Sequence, residues 1–124
     1  MSTVTGPDFL ALQVRDLDRS AEFYETALGL QRAPQSPPGA VVFATLPIPF
    51  AVREPLPGVD LAAASPRPGI GVALWMNCED AQPLHDHLVA AGVPIAAPPA
   101  PGPFGTAFTF LDPDGYAITV HDGA

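Results

Sequence analysis

The sequence predicts an α+β fold of two βαβββ repeats, forming a curved mixed sheet around a shared cleft. Three observations lead there. The order strand-then-helix occurs twice, and both helical segments end on the same punctuation, Ala27-Leu28-Gly29-Leu30 and Ala90-Ala91-Gly92-Val93. The prolines gather at Pro34 to Pro38, Pro55 to Pro68 and Pro94 to Pro103, where they mark connections between elements.

Taken in order, Phe9 to Val14 alternates with the period of a strand, Leu10, Leu12 and Val14 on one face and Phe9, Ala11 and Gln13 on the other. A helix follows, with Asp16 as its N-cap, Leu17, Ala21, Tyr24 and Leu28 as its apolar stripe, and Gly29 where a left-handed C-terminal cap is needed. A short extended segment near Leu30 to Ala33 comes next, then strands over Val41 to Thr45 and Ile48 to Arg53, joined at Leu46-Pro47. After the Pro-rich stretch Glu54 to Gly69 the order restarts with strand Val72 to Cys78 and helix Asp80 to Ala91, stopped at Gly92. Pro83 sits in the first helical turn, where no backbone donor is lost. Three strands close the repeat: Ile95 to Ala97, Ala107 to Leu111 and Tyr116 to Asp122, the last two joined by the turn-forming Asp112-Pro113-Asp114-Gly115.

At 124 residues the expectation is one domain spanning 1–124, with repeat one over about 8–54 and repeat two over about 70–122. A hydrophobic share of 48% against 15% charged residues is globular in character, and no apolar run reaches the ~18 residues of a membrane span. The first residues lack the basic-then-apolar pattern of a secretion signal, so the expected location is cytoplasmic, with no membrane partner. All five cations are Arg, and a net charge of −8 repels a phosphate backbone; nucleic acid is excluded as a partner and cationic ligands are favoured over anionic ones. The single Cys78 rules out an internal disulfide or a cysteine metal cluster.

Three stretches, Leu10-Ala11-Leu12-Gln13-Val14-Arg15-Asp16-Leu17, Phe23-Tyr24 with Leu28-Gly29-Leu30, and Phe110-Leu111-Asp112-Pro113-Asp114-Gly115-Tyr116-Ala117-Ile118, make the sequence resemble the vicinal oxygen chelate superfamily along nearly its whole length. That superfamily includes glyoxalase I, extradiol dioxygenases, fosfomycin resistance enzymes and bleomycin resistance proteins. The resemblance implies the paired βαβββ fold; it does not by itself imply an activity. Metal-using members place a His or Gln on the first strand of each repeat and a Glu on the last. The corresponding positions here are Phe9, Ala73 and Thr119, with Glu54 the match for a fourth, so neither a metal nor any other cofactor is expected.

His85 and His87 lie two apart on the second helix and diverge. Cys78 shares the parity of Leu74 and Met76, facing the helix. Trp75 shares the face of Ala73 and Asn77, where an aromatic wall suits stacking on a flat small molecule; the competing reading is that it fills a closed core. The expected ligand site comprises Phe9, Ala11, Gln13, Ala73, Trp75, Asn77, Thr119 and His121, with Phe50, Phe104, Phe108 and Phe110 as further rings whose facing parity leaves open, and no residue in a catalytic role. This is the character of the metal-free bleomycin-resistance type, and the resemblance implies a homodimer that sequesters an aromatic or cationic natural product or antibiotic. Two rivals stand beside it: a lyase, isomerase or dioxygenase-like enzyme, either metal-dependent with donors such as Glu54, Gln13 and His121 or a metal-free lyase or isomerase with His121 as base, and a partner module whose cleft is filled by its own side chains.

Overall fold

The computed structural model describes residues 2–123. The chain divides into two compact units, Met1–Leu61 and Ala62–Ala124, each carrying one repeat.

In the first unit, β1 (Leu10–Gln13) leads into α1 (Leu17–Thr26), followed by β2 (Ala40–Phe43) and β3 (Phe50–Arg53). The sheet order is β1-β3-β2, with β1 parallel and β2 antiparallel to β3. Asp16 caps α1 as expected: its Oδ1 accepts from Arg19 N at 3.1 Å. Gly29 takes φ +74°, the left-handed turn that ends the helix, and Leu30 N donates to Tyr24 O at 3.0 Å. Ala21 and Tyr24 are fully buried against the sheet, with Val14, Phe43, Phe50 and Val52. The extended segment expected at Leu30 to Ala33 shrinks to a single bridge, Arg32 to Phe43.

In the second unit, β4 (Leu74–Asn77) and α2 (Ala81–Ala90) precede β5 (Ile95–Gly102), β6 (Gly105–Leu111) and β7 (Ala117–His121). The sheet order is β4-β7-β6-β5, β4 running parallel to β7 and the other pairs antiparallel. α2 ends in a complete left-handed cap at Gly92, φ +81°, where Gly92 N donates to Val89 O and Val93 N to Leu88 O, both at 3.0 Å. The turn between β6 and β7 is tied by Asp112, whose Oδ1 accepts from Asp114 N and Tyr116 N at 2.9 Å each.

One element is longer than the sequence suggests. The Pro94 to Pro103 cluster reads as a connection, yet β5 runs through Pro98, Pro99 and Pro101 to Gly102. It does so as an edge strand with register shifts between Ile95 and Ala97 and between Ala97 and Ala100. An edge at which the ladder is interrupted is where a strand tolerates residues with no N–H.

Candidate ligand-binding site

The two faces of the second sheet differ in kind. Register places Leu74, Ile118 and Phe110 in one row and Met76, Val120 and Phe108 in the next, all on the side covered by α2. Ile118, Val120, Phe108 and Phe110 are buried there with Leu88 of the helix, and the His85 ring meets Phe108 edge-on at 5.3 Å. The opposite face carries Trp75, Thr119 and Thr109 in one row and Asn77, His121 and Ala107 in another.

On that open face three rings form a triangle. Trp75 and His121 lie 5.7 Å apart, and Phe104 is 6.0 Å from each, all in edge-to-face geometry. Trp75 is 49% and Phe104 50% exposed, so two large apolar rings stand at the surface, and Trp75 does not fill a closed core. His121 Nδ1 is buried and has no hydrogen-bond partner among the described residues. Beside the triangle lies a groove of about 320 Å³ bordered by Trp75, Phe104, Thr109, Thr119 and by Pro98 and Pro101 of β5.

The triangle is held by the end of the chain. Gly123 N donates to Phe104 O at 2.8 Å, and a Cβ on Gly123 would run into the Phe104 backbone, so only glycine permits this approach. Asp122 Oδ1 accepts from Thr106 N and its Oδ2 from Ala81 N, both at 2.9 Å. One carboxylate thereby caps α2 and anchors the β5–β6 hairpin, a task the sequence assigns to no residue; Asp80, at the N-cap position, makes no side-chain cap bond. The N–H groups of Ala81 and then Thr106 hold the Asp122 carboxyl below the usual carboxylate range. Asn77 Nδ2 donates to Gly123 O at 3.2 Å and, more weakly, to His121 O at 3.4 Å.

Of the residues expected to line the site, Trp75, Asn77, Thr119 and His121 are brought together on this face. Ala73 is exposed just ahead of β4. In the first unit, Phe9 and Ala11 are exposed. Gln13 does not stand as a free polar handle: its Oε1 accepts from Leu56 N at 2.7 Å and pins the segment after β3. Of the further rings, the expectation is corrected for Phe50 and Phe110, whereas Phe108 does border the groove. Phe50 pairs with Leu10 in register and packs on Tyr24 at 5.0 Å and Phe43 at 6.1 Å, beneath α1. Phe108 and Phe110 lie beneath α2; Phe108 also borders the groove, but it is buried on the helix side. Their apolar bulk is claimed by the helices because α1 and α2 each need a sheet face to cover. Phe104, whose facing parity leaves open, is placed on this face, and Thr109 is an addition to the expected site.

Cys78 is half-buried, and burial, with Asp122 and Asp80 nearby, pushes its thiol pKa up, away from a reactive thiolate. The positions at which metal-using relatives carry ligands do not fit a divalent cation. Phe9 and Ala73 have no donor atom, the Thr119 hydroxyl is bonded to that of Thr109 at 2.7 Å, and the Glu54 carboxylate lies beside Gly39. Among the described residues no three His, Cys, Asp or Glu side chains gather as metal ligands.

Two βα units, each continued by antiparallel strands, define a protein of the paired βαβββ class. The model of the Glyoxalase/Bleomycin resistance protein/Dioxygenase superfamily matches residues 6–120, and the chain belongs to that superfamily. Among solved structures it is similar to TnmS3, an antibiotic binding protein from Streptomyces sp. CB03234 (TM-score 0.75, 19% identity, 100% of both chains covered). It is similar also to the fosfomycin resistance protein FosX from Mesorhizobium loti (0.70, 22%, 98% of this chain and 95% of that one). A third likeness is to lactoylglutathione lyase from Agrobacterium tumefaciens (0.69, 21%, 98% and 96%). At these identities the likeness is one of fold. No curated protein matches the sequence.

Proposed function

We propose that this chain is a metal-free small-molecule-binding protein that sequesters an aromatic or cationic natural product or antibiotic, acting stoichiometrically in the cytoplasm as a homodimer. The observation that carries the reading is the exposed Trp75–Phe104–His121 triangle beside a groove of about 320 Å³. Half-exposed rings lose apolar surface to water when a flat ligand covers them, and such stacking is worth about 0.5–1.5 kcal/mol beyond the area buried. The groove volume falls within the roughly 300–1,000 Å³ of small-molecule sites. That TnmS3 is an antibiotic binding protein and FosX a fosfomycin resistance protein agrees with this reading without naming the ligand.

Trp75 is the single Trp of the chain, so its emission reports on the site directly. Titrating a panel of aromatic antibiotics should quench it, saturating at one ligand per chain with every compound recovered intact. Calorimetry should find that binding lost in Trp75→Ala. Unaltered emission across the panel would remove the proposal. A second reading, a glyoxalase-like lyase or isomerase, is favoured by one observation, the buried Nδ1 of His121, which has no partner among the described residues. It requires a converted product after incubation, absent in His121→Gln.

A further inference from the structure

The groove's border is charge-free among the described residues: rings, prolines, alanines and glycines, with the Trp75 indole N–H and the hydroxyls of Thr109 and Thr119 as its side-chain polar groups. A charged part of a ligand settled there would give up hydration with no counter-charge to meet it. The held part is therefore neutral.

The two hydroxyls are bonded to each other, Oγ1 to Oγ1 at 2.7 Å. Each brings one donor hydrogen and two lone pairs, so the mutual bond spends one hydrogen and leaves the other without an acceptor among the described residues. A hydroxyl that accepts one hydrogen bond also donates more strongly through its own hydrogen. When a ligand covers the pair and displaces water, that unspent hydrogen is the group that must find a partner, because a buried unmatched donor is costly. Trp75, Thr119 and Thr109 stand in one row across β4, β7 and β6, and Ala97 of β5 continues it. Strand spacing puts the hydroxyls about 5 and 10 Å from the strand that carries the indole, the span of a small fused-ring system.

Resting on the ligand-binding reading above, we infer that the Thr109–Thr119 hydroxyl pair is a specificity determinant: it selects a ligand whose held part is a neutral planar aromatic group presenting a hydrogen-bond acceptor, such as a ring carbonyl, to the sheet while its rings stack at Trp75. Thr109 has no place in the sequence-derived site, and its role follows from register and hydrogen-bond bookkeeping.

Fluorene and 9-fluorenone test this, being neutral planar tricycles that differ by a methylene against a carbonyl. Calorimetry on the wild-type chain should give fluorenone the tighter binding by roughly 2- to 13-fold, the range of one net hydrogen bond. In Thr109→Val/Thr119→Val, which keeps side-chain shape, the ratio of the two affinities should fall to about one. Thr109→Ser/Thr119→Ser keeps both hydroxyls and should keep the preference, so the inference stays testable if the valine pair fails to fold. Equal binding of the two probes by the wild-type chain, a preference that survives in the valine pair, or its loss in the serine pair would overturn the inference while leaving the stacking site intact. Binding of neither probe, with Trp75 emission unaltered, would overturn the ligand site itself and this inference with it.

Discussion

The two units repeat one topology but spend their aromatic residues differently. In the first, Tyr24, Phe43 and Phe50 form a buried cluster beneath α1, and Phe9 is the one exposed ring among the described residues. In the second, Phe108 and Phe110 fill the helix side while Trp75 and Phe104 stand half-exposed on the other face with His121. The helices differ in the same sense. α1 is capped three residues away by its own Asp16, whereas the first N–H of α2 is met by Asp122, 41 residues on. A repeat therefore constrains where helices lie and which face they cover; the surplus rings on the face opposite α2 are what set the second unit apart from the first.

That contrast can be broken most forcefully in the cores. Phe50→Ala and Phe110→Ala should each lower unfolding free energy by about 3–5 kcal/mol in denaturant titrations, since both delete a buried ring. If Phe110→Ala were as mild as a surface change, the division of the second sheet into a packed and an open face would be wrong.

The capping difference offers a test in pH. Asp16→Ala should cost about 1 kcal/mol, the ordinary loss of an N-cap. Asp122→Asn should shift the denaturant midpoint further at pH 7, because it disturbs both α2 and the β5–β6 hairpin. The Asp122 pKa is depressed in the folded chain, so its stabilisation is complete above the unfolded carboxyl's value of about 3.9 and fades as pH falls through and below it. Midpoints of wild type and Asp122→Asn should therefore converge toward pH 3; a gap unchanged between pH 7 and pH 3 would remove the carboxylate from this role.

Where the units agree, they should respond alike. Gly29 and Gly92 have φ of +74° and +81° with open space where a Cβ would go, so alanine at either meets backbone strain without a clash and should cost about 1–2 kcal/mol. Unequal costs would mean the shared helix-ending punctuation does different jobs in the two repeats. The smallest effect on stability is expected at the open face: Trp75→Ala should alter unfolding free energy by no more than about 0.5 kcal/mol, as for an ordinary surface site, while removing ligand binding.

Much of the fold was legible because its signals are local. Alternation over Phe9 to Val14 located β1, Asp16 and Gly29 bracketed α1, and Asp112-Pro113-Asp114-Gly115 announced the β6–β7 turn. Parity also put Trp75, Asn77, Thr119 and His121 on one face. It left the facing of Phe50, Phe108 and Phe110 open, because alternation says which residues share a face but not which face a helix will cover. The strand expected at Ile95 to Ala97 is the start of β5, but its continuation to Gly102 was not legible, because Pro98 to Pro101 carry loop chemistry that an irregular edge strand accommodates.

The sequence by itself determined the repeat, the caps, the turns and the charge, each written within a few neighbouring residues. Tertiary structure alone decided that Phe104, at a hairpin tip, meets Trp75 and His121, that Asp122 reaches the start of α2, and that Thr109 pairs with Thr119. Those contacts join distant stretches of chain through strand register and hairpin placement, and register is set by the packing of the whole sheet, which no local pattern encodes.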